Sequence, residues 1–183
     1  LLTRCNVGYG QGTTWCRHEC YGHRADPARL RDELILHLVS RLIYTGSGGF
    51  DNRSGGLTFM ISPRVAHLTR VSSNESMHSR GIFHQKDETL SCNGYHRLHV
   101  LCGESVSSQT SLWLTIGVTS LVVAMIEADL QPCQGIQLRD PLDAMRQFAH
   151  DVTMTAQASS VDGRRWTAIE IQRQIPKKLD NNI

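Results

Sequence analysis

Two short runs of extended character, residues 15–21 (WCRHECY) and 95–100 (YHRLHV), constrain the fold of this chain more than anything else in it. Side chains two apart on a strand point to the same face. Arg97 and His99 therefore project together, while Leu98 and Val100 turn to the other side. A strand patterned in this way has one face to be covered and one left open. A lone strand histidine is most often structural. A guanidinium beside an imidazole is more telling, because arginine's planar donors match phosphate oxygens and the imidazole suits the accompanying metal ion.

The elements that cover such a sheet are readable elsewhere. Asp26-Pro27 is a helix start, with aspartate as N-cap and proline in the first turn, where its missing N–H costs nothing. Leu30, Leu34, Leu38 and Leu42, with Ile35, Val39 and Ile43, then recur at helical spacing until Gly46. Residues 112–126 (LWLTIGVTSLVVAMI) are the longest apolar run. The run is shorter than the ~20 residues needed to cross a bilayer, so it predicts a buried core helix over residues 107–128 rather than an anchor. Asp140-Pro141 opens a further helix ending near His150, and Thr167 with Glu170 forms a capping box.

Residues 1–7, 13–21, 57–62 and 95–102 read as strands, and Ser62-Pro63 starts a short helical piece. The glycine-rich residues 46–56 (GSGGFDNRSGG) lack the GK[S/T] of a nucleotide P-loop and read as a flexible connection. Residues 71–94 are polar without clear periodicity, and loops of that length inside a domain are commonly functional or mobile. No internal repeat or linker divides the chain, which predicts one α+β domain.

Composition narrows the partners. The net charge of +2 is small, and no basic stripe is interleaved with aromatics, which argues against nucleic-acid binding. Cys5, Cys16, Cys20, Cys92, Cys102 and Cys133 include no C-x-x-C pair, and no secretory signal opens the sequence. Reduced cysteines in a cytoplasmic protein are the expectation. Nine histidines in 183 residues invite a search for a site.

Read in order, these segments resemble the Pup ligase and Pup deamidase/depupylase family. WCRHECY is similar to the family's SYGCHENY, residues 36–49 (LHLVSRLIYTGSGG) to LVTRQLICGAGK, and residues 95–104 (YHRLHVLCGE) to YRRLHVIVGD. Residues 114–129 (LTIGVTSLVVAMIEAD) resemble LKVGTAALVLEMIESG, and DPLDAMRQFAHDVT and AIEIQRQ continue in the same order. The resemblance implies a glutamine-synthetase-like fold, an antiparallel sheet cradling ATP and magnesium with helices behind it. It implies an enzyme that phosphorylates the C-terminal glutamate of the small protein Pup and passes it to a target lysine, or a sister that removes Pup.

Carried over by motif, His18 and His99 correspond to magnesium ligands and Arg97 to the arginine on the ATP phosphates. Cys20 stands where the family has an ATP-contacting asparagine, and His96 replaces an arginine. Residues 84–91 (HQKDETLS) keep Asp87-Glu88 of the family's NTRDEPHA loop, with Lys86 and Leu90 in place of its arginine and histidine. The strands that carry the family's catalytic aspartate and carboxylate ligands have no counterpart, so no catalytic residue is assigned. Residues 1–183 are then expected to be a partial glutamine-synthetase-like catalytic domain, inactive alone, without the family's N-terminal strands and C-terminal domain.

Two other readings stand beside this one. The chain is a non-catalytic fragment that binds a partner or forms an oligomer through an open sheet edge. Alternatively Cys16, His18 and Cys20, on one face of a strand, hold a metal, although a tetrahedral zinc site also needs a fourth ligand.

Overall fold

A computed structural model describes residues 5–10, 12–55, 57–73, 79–85 and 91–180. In chain order the elements are β1 (Val7–Gly8), β2 (Thr13–Thr14), β3 (Arg17–His23), α1 (Pro27–Ser40), α2 (Leu42–Thr45), β4 (Gly49–Phe50) and β5 (Phe59–Met60). A 3-10 turn (Pro63–His67) leads to β6 (Arg70–Ser72), β7 (Gly81–Gln85), β8 (His96–Gly103), α3 (Gln109–Glu127) and α4 (Pro141–His150). The last elements are β9 (Gln157–Ser159), β10 (Arg165–Thr167), α5 (Ala168–Gln172) and α6 (Gln174–Asp180).

The class is α+β, as the sequence predicts. The main sheet has the order β3-β8-β7-β6, which leaves β3 at an edge. β8 pairs antiparallel with both β3 and β7, but β6 runs parallel to β7, so the sheet is mixed. Both β6 and β7 fall largely in the stretch expected to be without structure. The reason is burial: Gly81, Ile82, Phe83 and His84 of β7 are all buried, so no polar alternation marks the strand. Residues 1–4, 74–78 and 86–90 lie outside the described residues, and with them Lys86, Asp87, Glu88 and Leu90.

The expected strand over residues 13–21 is two strands. β2 pairs with β1 as a ribbon, and β3 begins after Trp15 and Cys16. The glycine-rich loop is not a loose connection either. It contributes β4, which pairs with β5, and Asn52 Nδ2 donates to the Gly8 and Thr13 carbonyls at 3.0 and 2.9 Å. The β9–β10 hairpin was not legible, its strands being three residues each.

Helix signals fare better. Asp26 accepts from the Arg29 N–H and Asp140 from the Leu142 and Asp143 N–H groups, satisfying donors that a helix start leaves open. The Thr167–Glu170 capping box is formed in both directions. The helix predicted to run unbroken to Gly46 is interrupted at Arg41, which separates α1 from α2. At Gly46 a Cβ would sit 2.4 Å from the Ile61 carbonyl oxygen, so only glycine lets the chain pass there.

The core lies between the sheet and the helices. Leu30, Leu34 and Leu38 of α1 meet Phe83, Leu98 and Val100 of the sheet, Val122 and Ile126 of α3, and Met145 and Phe148 of α4. Full burial of each such side chain contributes roughly 1.5–3 kcal/mol. The prediction for α3 needs correcting. By length and composition α3 meets the criteria for a membrane span, yet only one of its faces is buried in the domain. That face carries Thr115, Thr119, Val122, Val123, Met125 and Ile126, while Trp113 is 76% and Ile116 49% exposed. An apolar run shows that a helix forms but not which side of it is covered.

Candidate functional site: an open sheet face with paired imidazoles

β8 alternates as its sequence predicts. Leu98 and Val100 are fully buried, and Arg97 and His99 lie on the opposite, partly exposed face. Cys20 of β3 is the register partner of His99, and Gly22 that of Arg97. Between Arg17 and Glu19 the register shifts: two steps on β3 span three on β8, a bulge that re-aims the strand beside His18. His18 Nδ1 then lies 2.9 Å from His99 Nε2, with the rings 4.8 Å apart. Arg97 Nη2 donates to Cys20 Sγ at 3.2 Å. All four residues singled out from the sequence are therefore neighbours on one face. His84 of β7, the register partner of His99, adds a third ring 5.9 Å from that of His99.

The other face of β3 holds a buried polar network that sequence reasoning missed. Glu19 alternates with His18 and Cys20 and points toward the helices. Its carboxylate takes both arms of the Arg41 guanidinium, at 2.9 and 3.0 Å, and the Tyr21 hydroxyl at 2.7 Å. Arg41 also donates to Thr119 of α3, which is bonded in turn to His37. Burial pushes the Glu19 carboxyl up, but Arg41 and the hydrogen bonds outweigh it, and the carboxyl titrates below its ordinary value. The signal for Arg41 was present: it falls seven residues after Leu34, on a face otherwise apolar, and a charge there demands a partner. Glu104 is a second missed residue, buried and accepting from the Ser47 and Arg64 backbone N–H groups at 2.8 and 2.9 Å.

The electrostatics of the open face favour anions. Burial, then Arg64 and Arg97, hold His18 below the usual imidazole range, so it is neutral at pH 7. Arg64 is itself buried, bonded to the Leu101 carbonyl and the Thr14 hydroxyl, both neutral acceptors. Burial pushes the Cys16 thiol up against the pull of Arg64 and Arg80. Arg64 and Arg97 are the charges that act on His18, and a guanidinium's planar donors match phosphate-like oxygens.

Magnesium is a different matter. It requires near-octahedral oxygen coordination. Among the described residues no group of three or more histidine, cysteine or acidic side chains is placed to hold a metal. The described donors on this face are imidazoles and a thiol, a set that does not fit magnesium. The same finding counts against the Cys16, His18 and Cys20 metal module.

Three of the histidines make stability depend on pH. Burial lowers His37 well below the ordinary value, and burial with Arg80 and Arg53 brings His67 down to about 4. His18 is lowered as well. Groups held neutral in the folded state contribute stability that is present above their unfolded value of about 6.5 and is lost as the pH falls below it. Thermal melts should therefore move down by several degrees between pH 7.5 and 5.5. Equal midpoints at the two values would contradict this assignment.

A helix-backed sheet with an imidazole-lined open face is consistent with the resemblance drawn from the sequence. Comparison with known proteins agrees. The Pup-ligase protein family matches residues 2–183. The Pup–protein ligase of Sanguibacter keddieii is 33% identical over 171 residues, covering 92% of this chain and 37% of the relative. That of Geodermatophilus obscurus is 35% identical over 166 residues, covering 89% and 36%. The solved structure of the Pup ligase PafA in complex with ADP superposes with a TM-score of 0.81 at 30% identity, over 98% of this chain and 40% of that one. The complex of Pup with PafA gives 0.78 at 29%, over 96% and 36%. The chain belongs to the Pup ligase family, and spans little more than a third of the length of these curated relatives.

Proposed function

We propose that this chain supplies the phosphate-facing wall of a nucleotide site in ATP-dependent protein pupylation, with Pup and its target proteins as partners. The observation that carries the reading is the gathering of Arg97, Cys20, His18 and His99 on one open face. Arg97 is the phosphate contact, and Cys20 orients its guanidinium where the family places an asparagine. The similarity to a Pup ligase solved with ADP supports a nucleotide as ligand, and the one solved with Pup supports that partner. The described residues include no carboxylate set for magnesium, so the chain alone is expected to bind nucleotide without ligating or removing Pup.

The test is an ADP titration of the 183-residue chain by calorimetry. Measurable binding that Arg97→Ala weakens ~10-fold or more is expected, since a guanidinium–phosphate contact is charge-assisted and bidentate. Absence of ADP binding, or binding indifferent to Arg97→Ala, refutes the assignment. Conjugation of Pup by the chain alone, abolished by the same substitution, refutes its inactivity.

A further inference from the structure

We propose that the exposed face of α3 is a self-association surface, on which a second copy of this chain docks with its own α3 antiparallel to the first. Trp113, Ile116, Gly117, Ser120, Leu121 and Ala124 are all exposed and recur at helical spacing, forming one stripe along α3. No charged residue occurs between Gln109 and Ile126. A contiguous apolar patch on a folded domain marks an interaction site. The opposite face of the helix is tied into the domain, with Thr119 bonded to both His37 and Arg41. Gly117 points to close approach from outside. Glycine is unfavourable in a helix interior, and a Cβ built there meets nothing within 4 Å among the described residues, so the domain's own packing does not call for it.

The stripe complements itself. A two-fold axis at its middle sets Gly117 against the partner's Ser120, Ile116 against the partner's Leu121 and Trp113 against the partner's Ala124. Small residues then meet at the centre, where two helix axes approach to about 8 Å, and each indole lies over a methyl group. The ends match in charge. The same axis brings the partner's Glu127 to Thr110, in a first turn that holds no acidic residue and lies at the positive end of the helix dipole. A lipid surface fits less well, since interfacial helices carry Lys and Arg beside the apolar face, whereas this one carries neither and ends on Glu127. One pair of helices covers less than the ~1,200 Å² of a standard interface, so the dimer is weak, of micromolar affinity or looser.

Sedimentation equilibrium of the full chain, from low micromolar to submillimolar concentration, should show monomers in equilibrium with dimers. Leu121→Glu should weaken the dimer ~10-fold or more, because pairing would bury a carboxylate without a partner. Gly117→Leu distinguishes this geometry from indiscriminate apolar contact: the added side chain promotes the latter but blocks the closest approach of the helices, so the dimer should weaken. Thr110→Glu should weaken and Thr110→Lys tighten the dimer, each by ~2–5-fold per contact. A parallel pair, with Thr110 facing its own copy, would respond to both charges alike. All three positions are exposed, and far-ultraviolet circular dichroism establishes that the variants are folded. A chain monomeric throughout the range, association beyond the dimer, a dimer that Gly117→Leu leaves unchanged or tightens, or equal responses to the two Thr110 variants overturns the proposal. Partition of a monomeric chain onto phosphatidylcholine vesicles would overturn it too, assigning the face to a lipid surface.

Discussion

Arg41→Met should lower the unfolding free energy by about 3–5 kcal/mol, the usual cost of leaving a buried charge without its partner. Arg41 is 1% exposed and Glu19 7%, and the pair is joined by two charge-assisted hydrogen bonds. With the guanidinium gone, the carboxylate keeps the Tyr21 hydroxyl and a 3.2 Å contact with Arg17, too little to offset its desolvation. Glu19 titrates below its ordinary value in the folded chain. Its contribution is therefore present above about pH 4.5 and lost as the pH falls through the lowered value. Since a domain of this size is stable by only about 5–15 kcal/mol, the variant should shift its urea midpoint far down. Replacing both partners, Glu19→Leu with Arg41→Met, should recover part of the loss, because neither half of the ion pair is then buried alone, while the Tyr21 hydroxyl and the Arg17 guanidinium lose their carboxylate acceptor. A loss below about 1 kcal/mol at pH 7 would show that the pair is hydrated or mobile. The effect reaches the open face directly, since Glu19 lies between His18 and Cys20 on β3 and anchors that strand to the junction of α1 and α2 at Arg41.

The contrast between Arg41 and Arg97 explains how much was legible in the sequence. Period-two alternation in β8 shows Arg97 and His99 sharing a face, because one buried face imposes the pattern. Helix starts at Asp26, Asp140 and Thr167 were equally clear, each cap being a local interaction between residues two or three apart. Pairing between strands is not local. That β6 and β7 complete the sheet depends on partners close in space, and the buried GIFHQ of β7 carries no alternation. The bulge that turns His18 toward His99 is likewise a relation between two strands, invisible in either one. Buried charges fall between these cases. Arg41 on an apolar helix face announces that a carboxylate waits somewhere, and only the fold says that it is Glu19.

Glu104→Gln should lower the thermal midpoint by about 2–12 °C, on the basis of about 1–3 kcal/mol for each buried donor left unsatisfied and about 2–4 °C per kcal/mol at this chain length. Glu104 is 1% exposed and directly follows β8, where the chain is tied to two other segments. Oε2 accepts from the Ser47 N–H at 2.8 Å and from the Ser47 hydroxyl at 3.1 Å, and Oε1 accepts from the Arg64 N–H at 2.9 Å. Both oxygens are thus occupied by donors. A glutamine amide has one oxygen, so either orientation turns an NH2 group against a donor. Burial raises the Glu104 carboxyl above its ordinary value despite these hydrogen bonds, so holding the charge is already costly and the donors are what hold it in place. The bonds join the loop after α2 to the 3-10 turn that carries Arg64, and Arg64 is one of the charges that keep His18 neutral. Loosening that corner should therefore raise the His18 titration midpoint as well as lower the melt. Imidazole proton shifts followed against pH in the parent and the variant read this second effect. An unchanged melt together with an unchanged His18 midpoint would mean that Glu104 is not what joins these two segments.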